Sequence, residues 1–158
     1  TLSGCTGLGL TPSLPNSTTL QNGVFYLEPA NCNPTPGKDF EMELKVSSIE
    51  DLKGYSVVLS YDPAVLKLVE IAEGPCLSEG NETFFWKKID LAKGTIQIDC
   101  AILGTEISAY GEGSLATLYF TALLTKGDTG VNFAQTQIRD IHNQPILATQ
   151  ESARIRCK

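Results

Sequence analysis

The stretch from residue 54 to residue 71 constrains the fold most strongly. Its first half, Gly54-Tyr55-Ser56-Val57-Val58-Leu59-Ser60-Tyr61, has the two-residue period of a β-strand with one face on a core. A second apolar run, 65–71, begins after Asp62-Pro63. Asp62 can accept hydrogen bonds from the free N–H groups of a turn, and Pro63 fits the first turn position, where an N–H is not needed. The stretch therefore predicts a strand, a capped corner and a second strand.

Similar alternating runs follow one another along the rest of the chain. Within 39–47, Phe40, Met42, Leu44 and Val46 are predicted to face inward, with charged residues between them. No long amphipathic helix pattern and no internal repeat is present. The predicted strands are 24–28, 39–47, 54–61, 65–72, 83–89, 94–102, 113–124, 131–138 and 152–157. The predicted fold class is therefore an all-β sandwich of nine strands.

Length and charge limit the organisation and the partners. The 158 residues have room for one domain with one core. Residues 1–22 are rich in Gly, Pro, Ser and Thr and are predicted to be an N-terminal tail, either a linker or an assembly arm, before a domain at 23–158. A net charge of −6 argues against nucleic acid, whose phosphates need clustered Lys and Arg. No run of about eighteen apolar residues predicts a membrane span.

Five cysteines are many for a cytosolic protein of this size, and no pair has the C-x-x-C spacing of zinc or thioredoxin-like sites. We therefore expect an oxidising compartment and a secreted or surface-attached protein. Cys5 follows Leu2-Ser3-Gly4, which resembles a bacterial lipobox, so lipidation, an intermolecular disulfide and a free thiol all stay open for Cys5. Sequons at Asn16 and Asn81 are candidate N-glycosylation sites.

Catalytic chemistry has little support in the residues. His142 is the only histidine, lies in a polar segment and has no G-x-S-x-G elbow to complete a triad. Asp39, Glu41 and Glu43 follow one strand face beside Lys45, which is the pattern of a solvated surface rather than of a glycosidase pair. We expect no enzyme activity.

We predict no cofactor. A structural calcium ion is the single exception that the residues leave open. Asp62, Asp90, Asp140 and Asn143 offer loop oxygens of the kind that calcium prefers, but no D-x-D-x-D-G loop is present and no ligands are assigned. A sugar-binding platform would need coplanar exposed aromatic rings, and only Trp86 with Phe84 or Phe85 could begin one. Carbohydrate binding is therefore a less favoured alternative function.

The string Val-Val-Leu-Ser-Tyr-Asp-Pro-Ala-Val-Leu at 57–66, followed by Val-Glu-Ile and a Gly-Pro break, resembles the cohesin domain, the receptor module that binds dockerins in cellulosomes and related surface proteins. Further matching pieces lie in the same order at 93–98, 113–120, 130–133 and 138–141. The resemblance runs from about residue 24 to residue 157. It implies a jelly-roll sandwich and a non-catalytic extracellular module for protein–protein interaction.

The resemblance also implies a binding surface. Cohesins bind dockerins on the sheet that here would contain the predicted strands 83–89, 94–102, 54–61 and 131–138. Where cellulosomal cohesins often carry Asn and Asp on the central strand, this chain has Gly54 and Ser56. The outward residues expected to contact a dockerin-like partner are Ser56, Val58, Ser60, Gln97, Asp99, Ala101, Asn132 and Ala134.

Two disulfides follow from the same resemblance. In the jelly roll the first strand runs parallel to the last, which would place Cys32 and Cys157 at the same end and implies that they pair. Cys76, just after a strand that ends near residue 72, and Cys100, within the strand 94–102, are the second candidate pair. Cys5 is left over.

Two forms of protein attachment therefore stay open. In one, the chain is a receptor that captures a dockerin-like partner, which the resemblance favours. In the other, it is a structural subunit of an extracellular filament or surface layer, and residues 1–22 add a strand to the sheet edge of a neighbouring copy, giving a homo-oligomer or polymer. The end of the sequence at Lys158 without a further module favours the second form.

Overall fold

The computed structural model describes residues 23–123 and 127–157. These residues form the all-β fold that the sequence predicts, with ten strands and one short helix. In chain order they are β1 (Gly23–Glu28), β2 (Asn31–Cys32), β3 (Asp39–Ser60), β4 (Leu66–Glu73), α1 (Pro75–Ser78), β5 (Thr83–Asp90), β6 (Thr95–Ile102), β7 (Ala109–Ala122), β8 (Gly127–Asp140), β9 (Ala148–Glu151) and β10 (Ala153–Cys157).

Two sheets share the long strand β3. Sheet I has the order β9-β1-β3-β7-β4 and uses chiefly the first half of β3, up to Leu52. Sheet II has the order β5-β6-β3-β8-β10-β2 and uses chiefly the second half of β3, from Gly54. Neighbouring strands are antiparallel, except that β9 runs parallel to β1 and β10 runs parallel to β2.

The middle of β3 bends the strand from one sheet to the other. Its register against β7 shifts between Val46 and Ile49 and again between Ile49 and Leu52. Ser48 and Asp51 have φ angles of 57° and 56°, in the left-handed region that residues other than glycine seldom adopt. Such bulges bend a strand and increase its twist. The predicted strands 39–47 and 54–61 are therefore two halves of one strand.

The last predicted strand also differs from the observed one. The sequence predicts a single strand at 152–157 parallel to the first, whereas two strands, β9 and β10, flank Ser152. β9 pairs with β1 in sheet I, and β10 pairs with β2 and β8 in sheet II. Parallel pairing is present, but it joins β1 to β9 and β2 to β10, so the first strand and the final strand of the described residues lie in different sheets. The segment between β4 and β5 contains α1, and no helix among the described residues is long and apolar enough to cross a membrane.

The core lies between the inner faces of the two sheets. Met42, Leu44 and Val46 are fully buried, as predicted. Phe40 is half-buried and stacks on Phe120 with ring centroids 5.6 Å apart, and Tyr61 meets Phe120 edge-on at 5.3 Å. Removing these apolar side chains from water is the main favourable contribution to folding.

The corner between β3 and β4 has the predicted cap. The amide of Ala64 donates to Asp62 Oδ1 at 2.9 Å, and the amides of Val65 and Leu66 donate to the Asp62 carbonyl oxygen at 3.0 and 3.1 Å. Asp62 thus provides acceptors for the free N–H groups of the turn, and the chain reverses directly into β4.

Candidate protein-binding face

The outer surface of β5, β6, the second half of β3 and β8 is the candidate site, and we call it the β5–β8 face. Its residues form rows across the strands, because the register pairs each outward residue with one on the next strand. The first row is Phe84, Ala101, Gly54 and Arg139; the second is Trp86, Asp99, Ser56 and Gln137; the third is Lys88, Gln97, Val58 and Gln135.

The face is low in its centre and high at its two rims. The central strands carry small side chains such as Gly54, Ala101 and Ser56, whereas β5 carries the exposed rings of Phe84 and Trp86. Neighbouring strands lie about 4.8 Å apart, so β5 and β8 are separated by about 14 Å. An α-helix with its side chains is about 10–12 Å wide and fits between such rims.

The structure brings the eight predicted contact residues to the same sheet. The six on β3 and β6 are half-exposed. Two pairs of them lie opposite each other, Ser56 with Asp99 and Val58 with Gln97, whereas Ala101 lies opposite Gly54 and Ser60 lies opposite Thr95. Asn132 is exposed opposite Ser60, and Ala134 is exposed but has no partner in the register. Their role in partner binding stays a prediction.

The bulge at Ala134 explains which rim residues the sequence missed. Before it, Phe133 lies opposite the buried Leu59, and after it, Gln135 lies opposite the half-exposed Val58. The extra residue reverses the alternation, so Gln135, Gln137 and Arg139 join the face. The sequence contains a sign of this bulge. Phe133 and Ile138 are both apolar and both pack inward, but in a regular strand two residues whose numbers differ by an odd number face opposite sides.

A pocket of about 460 Å³ lies at the first-row end of the face. Gly54 and Ala101 line it together with Phe84 on one side and Arg139 and Ile141 on the other. A methyl group added at Gly54 would lie 2.9 Å from the backbone oxygen of Cys100. The close approach of β3 and β6 beside the pocket therefore requires glycine at this position.

Two charged groups at the pocket are hydrogen-bonded to the backbone of the neighbouring loops. The amine of Lys53 donates to the carbonyl oxygens of Gly104 and Ile107, the second at 3.0 Å. The carboxylate of Asp140 accepts the amides of His142 and Gln144 at 2.8 Å each. These bonds hold the adjoining loops, and they leave the guanidinium of Arg139 as the cation at the pocket with the most free donors.

The aspartates proposed as calcium oxygens each serve a separate turn. Asp62 caps the β3–β4 corner, and Asp90 accepts the amides of Ala92 and Lys93 at 3.1 and 3.0 Å. Asp140 holds the turn that contains His142 and Asn143, and His142 is exposed there. Among residues 23–123 and 127–157, no three His, Cys, Asp or Glu side chains are grouped as a metal site.

The four cysteines in the described part of the chain, Cys32, Cys76, Cys100 and Cys157, carry free thiols. The predicted bonds Cys32–Cys157 and Cys76–Cys100 are thus not formed in this structure. Members of each pair are nevertheless close enough to interact: burial is the main cause that raises the pKa of Cys157, and the charge of Cys32 adds to it. Burial raises the pKa of Cys100 to about 12, with smaller contributions from Glu73 and Cys76. Both pairings stay predictions for an oxidised form.

Three remaining predictions concern modification. Asn81 is half-exposed in the described part of the chain, and its side-chain amide donates to the carbonyl oxygen of Leu77 at 3.1 Å. Cys5 and Asn16, like the whole segment 1–22, lie outside the described residues.

The fold is a β-sandwich with small side chains in the centre of one outer face. The family model of the cohesin domain matches residues 29–149, which is more than half of the chain. The chain therefore belongs to the cohesin domain family, whose members are non-catalytic interaction modules.

Solved structures agree on the fold. A non-cellulosomal cohesin from the archaeon Archaeoglobus fulgidus is 16% identical, with a TM-score of 0.71 over 87% of this chain and 91% of the other. The cohesin of the Coh-OlpA-Doc918 complex from Clostridium thermocellum is 12% identical, with a TM-score of 0.73 over 87% and 99%. A type II cohesin from Acetivibrio cellulolyticus is 17% identical, with a TM-score of 0.72 over 86% and 95%. A comparison with curated proteins finds no significant match.

Proposed function

We propose that this chain is an extracellular receptor module that binds a dockerin-like protein through the β5–β8 face. The observation that carries the proposal is the shape of this face in a member of the cohesin family: a centre of small side chains between two higher rims. A centre of this kind lets another protein approach the sheet backbone closely. Several structural neighbours are described as cohesin–dockerin complexes, which supports a partner of that type.

The composition of the face indicates how such a partner is held. Gly54 and Ser56 stand where related modules often carry Asn and Asp, so the centre offers few charge-assisted hydrogen bonds. Phe84 and Trp86 offer large exposed rings at the β5 rim instead. Aromatic residues dominate the energy of many protein interfaces, and we expect apolar contacts at this rim to provide most of the affinity.

A panel of purified dockerin modules tests the proposal, with binding measured by isothermal titration calorimetry. Ser56→Lys puts a charged side chain in the centre of the face and is expected to weaken binding at least about a hundredfold. Thr117→Lys is the matched control, since Thr117 is also half-exposed on a central strand but on the outside of sheet I. Equal affinity of both variants for a bound dockerin would contradict the proposed face.

The extracellular setting is supported by the five cysteines and by the family. Mass spectrometry of natively secreted protein under non-reducing conditions tests it together with the two disulfides. Formation of Cys32–Cys157 and Cys76–Cys100 is an oxidation that would remove four hydrogen atoms, as four protons and four electrons, relative to the reduced chain. A fully reduced native protein would argue against an oxidising compartment.

Strand addition between copies is the second candidate function. It is favoured by the free edges of the fold, since β4, β5, β9 and β2 each pair with one neighbour among the described strands. Residues 1–22 would be the added strand. Light scattering of the full chain and of a chain without residues 1–22 separates the two functions. Large assemblies formed only by the full chain would support a filament subunit, and monomers in both cases would exclude it.

A further inference from the structure

We propose that the pocket at Gly54 is a specificity site that takes one aromatic or large aliphatic side chain from the protein partner, with a carboxylate of the same partner on Arg139. This inference rests on the proposed function, because the partner supplies the side chain. Partners with such a side chain and a nearby carboxylate would bind the β5–β8 face more tightly than partners without them.

The apolar part of the pocket comes from three strands. Phe84 on β5 is 54% exposed and forms one wall, and Ala101 on β6 and Gly54 on β3 form a floor with almost no side chain. Ile141, half-buried in the turn after β8, adds an apolar group on the far side. The volume of about 460 Å³ lies within the range of about 300–1,000 Å³ typical of small-ligand pockets.

The floor of the pocket at Gly54 is tightly packed backbone with no movable side chain. A Cβ atom at Gly54 would lie 2.9 Å from the Cys100 oxygen and 3.1 Å from the Cβ atom of Ala101. Beneath the floor, Tyr55 and Cys100 are buried, and the Tyr55 hydroxyl donates to the carbonyl oxygen of Leu115 at 3.4 Å. A preformed cavity of this kind costs the complex little reorganisation when a side chain enters.

Arg139 determines the charge preference. Its guanidinium has five N–H donors, and the bond from Nη1 to the carbonyl oxygen of Asn143 at 3.4 Å uses one of them. The ion pairs within the described residues join Lys45 to Glu28, Lys87 to Glu70 and Arg156 to Asp128, so Arg139 is in none of them.

Other charges at the pocket restrict where an acidic group can bind. Lys53 and Asp140 are used by the loops that they hold. Asp99, in the second row, has the same sign as the incoming carboxylate and disfavours it on the β6 side. A partner carboxylate is therefore directed to the β8 side, where the guanidinium can donate two parallel hydrogen bonds to it.

Two small molecules test the pocket without any knowledge of the partner. 3-Phenylpropionate carries the proposed ring and carboxylate, and 3-phenylpropanamide carries the same ring without the charge. Binding is followed by the amide shifts of the folded chain in ¹H–¹⁵N spectra. We expect saturable shifts centred on Gly54, Ala101 and Arg139, with the acid binding about two- to fivefold more tightly than the amide.

Three variants locate the effect. Ala101→Leu fills the pocket from a position that already has a Cβ atom and is expected to weaken binding of both molecules at least about tenfold. Thr117→Leu places the same side chain on the outside of sheet I, away from the pocket, and is expected to change binding by less than about twofold. Arg139→Gln is expected to remove the preference for the acid while the amide binds as before.

The outcomes separate this inference from the proposed function. The inference is overturned if neither molecule gives saturable shifts, if Thr117→Leu weakens binding as much as Ala101→Leu, or if a captured dockerin binds the Ala101→Leu variant unchanged. If no dockerin in the panel binds but both molecules occupy the pocket with the expected variant pattern, the site stands and the dockerin-type partner is wrong.

Discussion

The outer faces of sheets I and II are built by the same alternation but carry different residues. The face of sheet I is rich in carboxylates: Asp39, Glu41 and Glu43 on β3, Glu28 on β1 and Glu70 on β4, with Lys45 and Lys67 among them. The face of sheet II has small side chains in its centre, exposed rings on one rim and Arg139 on the other. Alternation decides which residues face solvent, whereas their identity decides whether a second protein can approach.

The largest expected changes in the free energy of unfolding come from the core, where the two sheets are alike. Leu59 in sheet II and Leu118 in sheet I are both fully buried. We expect Leu59→Ala and Leu118→Ala each to lower the free energy of unfolding by about 2–5 kcal/mol, because each leaves a cavity in a packed interior. Urea unfolding measures both. A loss below about 1 kcal/mol for only one of them would show that the two sheets do not contribute equally to one core.

The next effect is the pH dependence of the free energy of unfolding, which is smaller per pH unit and comes from a thiol beneath sheet II. Burial raises the pKa of Cys100, beneath sheet II, from an ordinary 9.0 to about 12. The unfolded chain therefore loses this proton at a lower pH than the folded one. The stabilisation is fully present below about pH 9 and is lost as the pH rises towards about 12, with a limiting slope of about 1.4 kcal/mol per pH unit.

Urea unfolding of the reduced chain at several pH values between these limits measures that slope. In the Cys100→Ala variant the slope is expected to fall by the contribution of one proton, while other titrating groups such as Tyr55 keep theirs. An unchanged slope in Cys100→Ala would contradict the assignment. Oxidation of Cys76 with Cys100 should remove the same contribution, because no thiol is left to titrate.

The smallest predicted effect concerns the connection between the sheets at one side of the sandwich. The amine of Lys87, on β5, donates to Glu70 Oε1 at 2.6 Å and to the carbonyl oxygen of Ile71 at 2.7 Å, both on β4. We expect Lys87→Met to lower the free energy of unfolding by up to about 1 kcal/mol, since half-exposed ion pairs contribute little. Lys88→Met is the control, because Lys88 faces outward on the β5–β8 face. A larger loss in Lys88→Met would reverse the assigned orientation of β5.

Local patterns were enough to predict much of the fold. The alternation in 54–61 and the Asp62-Pro63 corner predict a strand and a turn that the structure contains, because both depend on neighbouring residues. The continuity of β3 could not be predicted in the same way. Ser48 and Asp51 adopt left-handed backbone angles at the two register shifts against β7, and a two-residue alternation does not predict such angles.

The candidate site was less predictable than the fold. The central residues of the β5–β8 face were identified from the resemblance and the alternation, but its β8 rim depends on a bulge at Ala134, which shifts Gln135 and Arg139 outward. The β5 rim depends on which of three successive aromatic residues faces solvent. Phe84 and Trp86 do so because Phe85 packs against the core, and that choice is made by tertiary packing.

The parallel pairing of the terminal strands has a mechanical consequence. Gly23 begins β1 opposite Ala148, and Cys157 ends β10, so the two residues lie towards opposite ends of parallel strands. A force that pulls Gly23 and Cys157 apart reaches β9 through β10 and shears β9 along β1, and it loads the evenly spaced hydrogen bonds of this parallel pair together rather than one at a time. The sandwich would therefore resist extension along the line between Gly23 and Cys157.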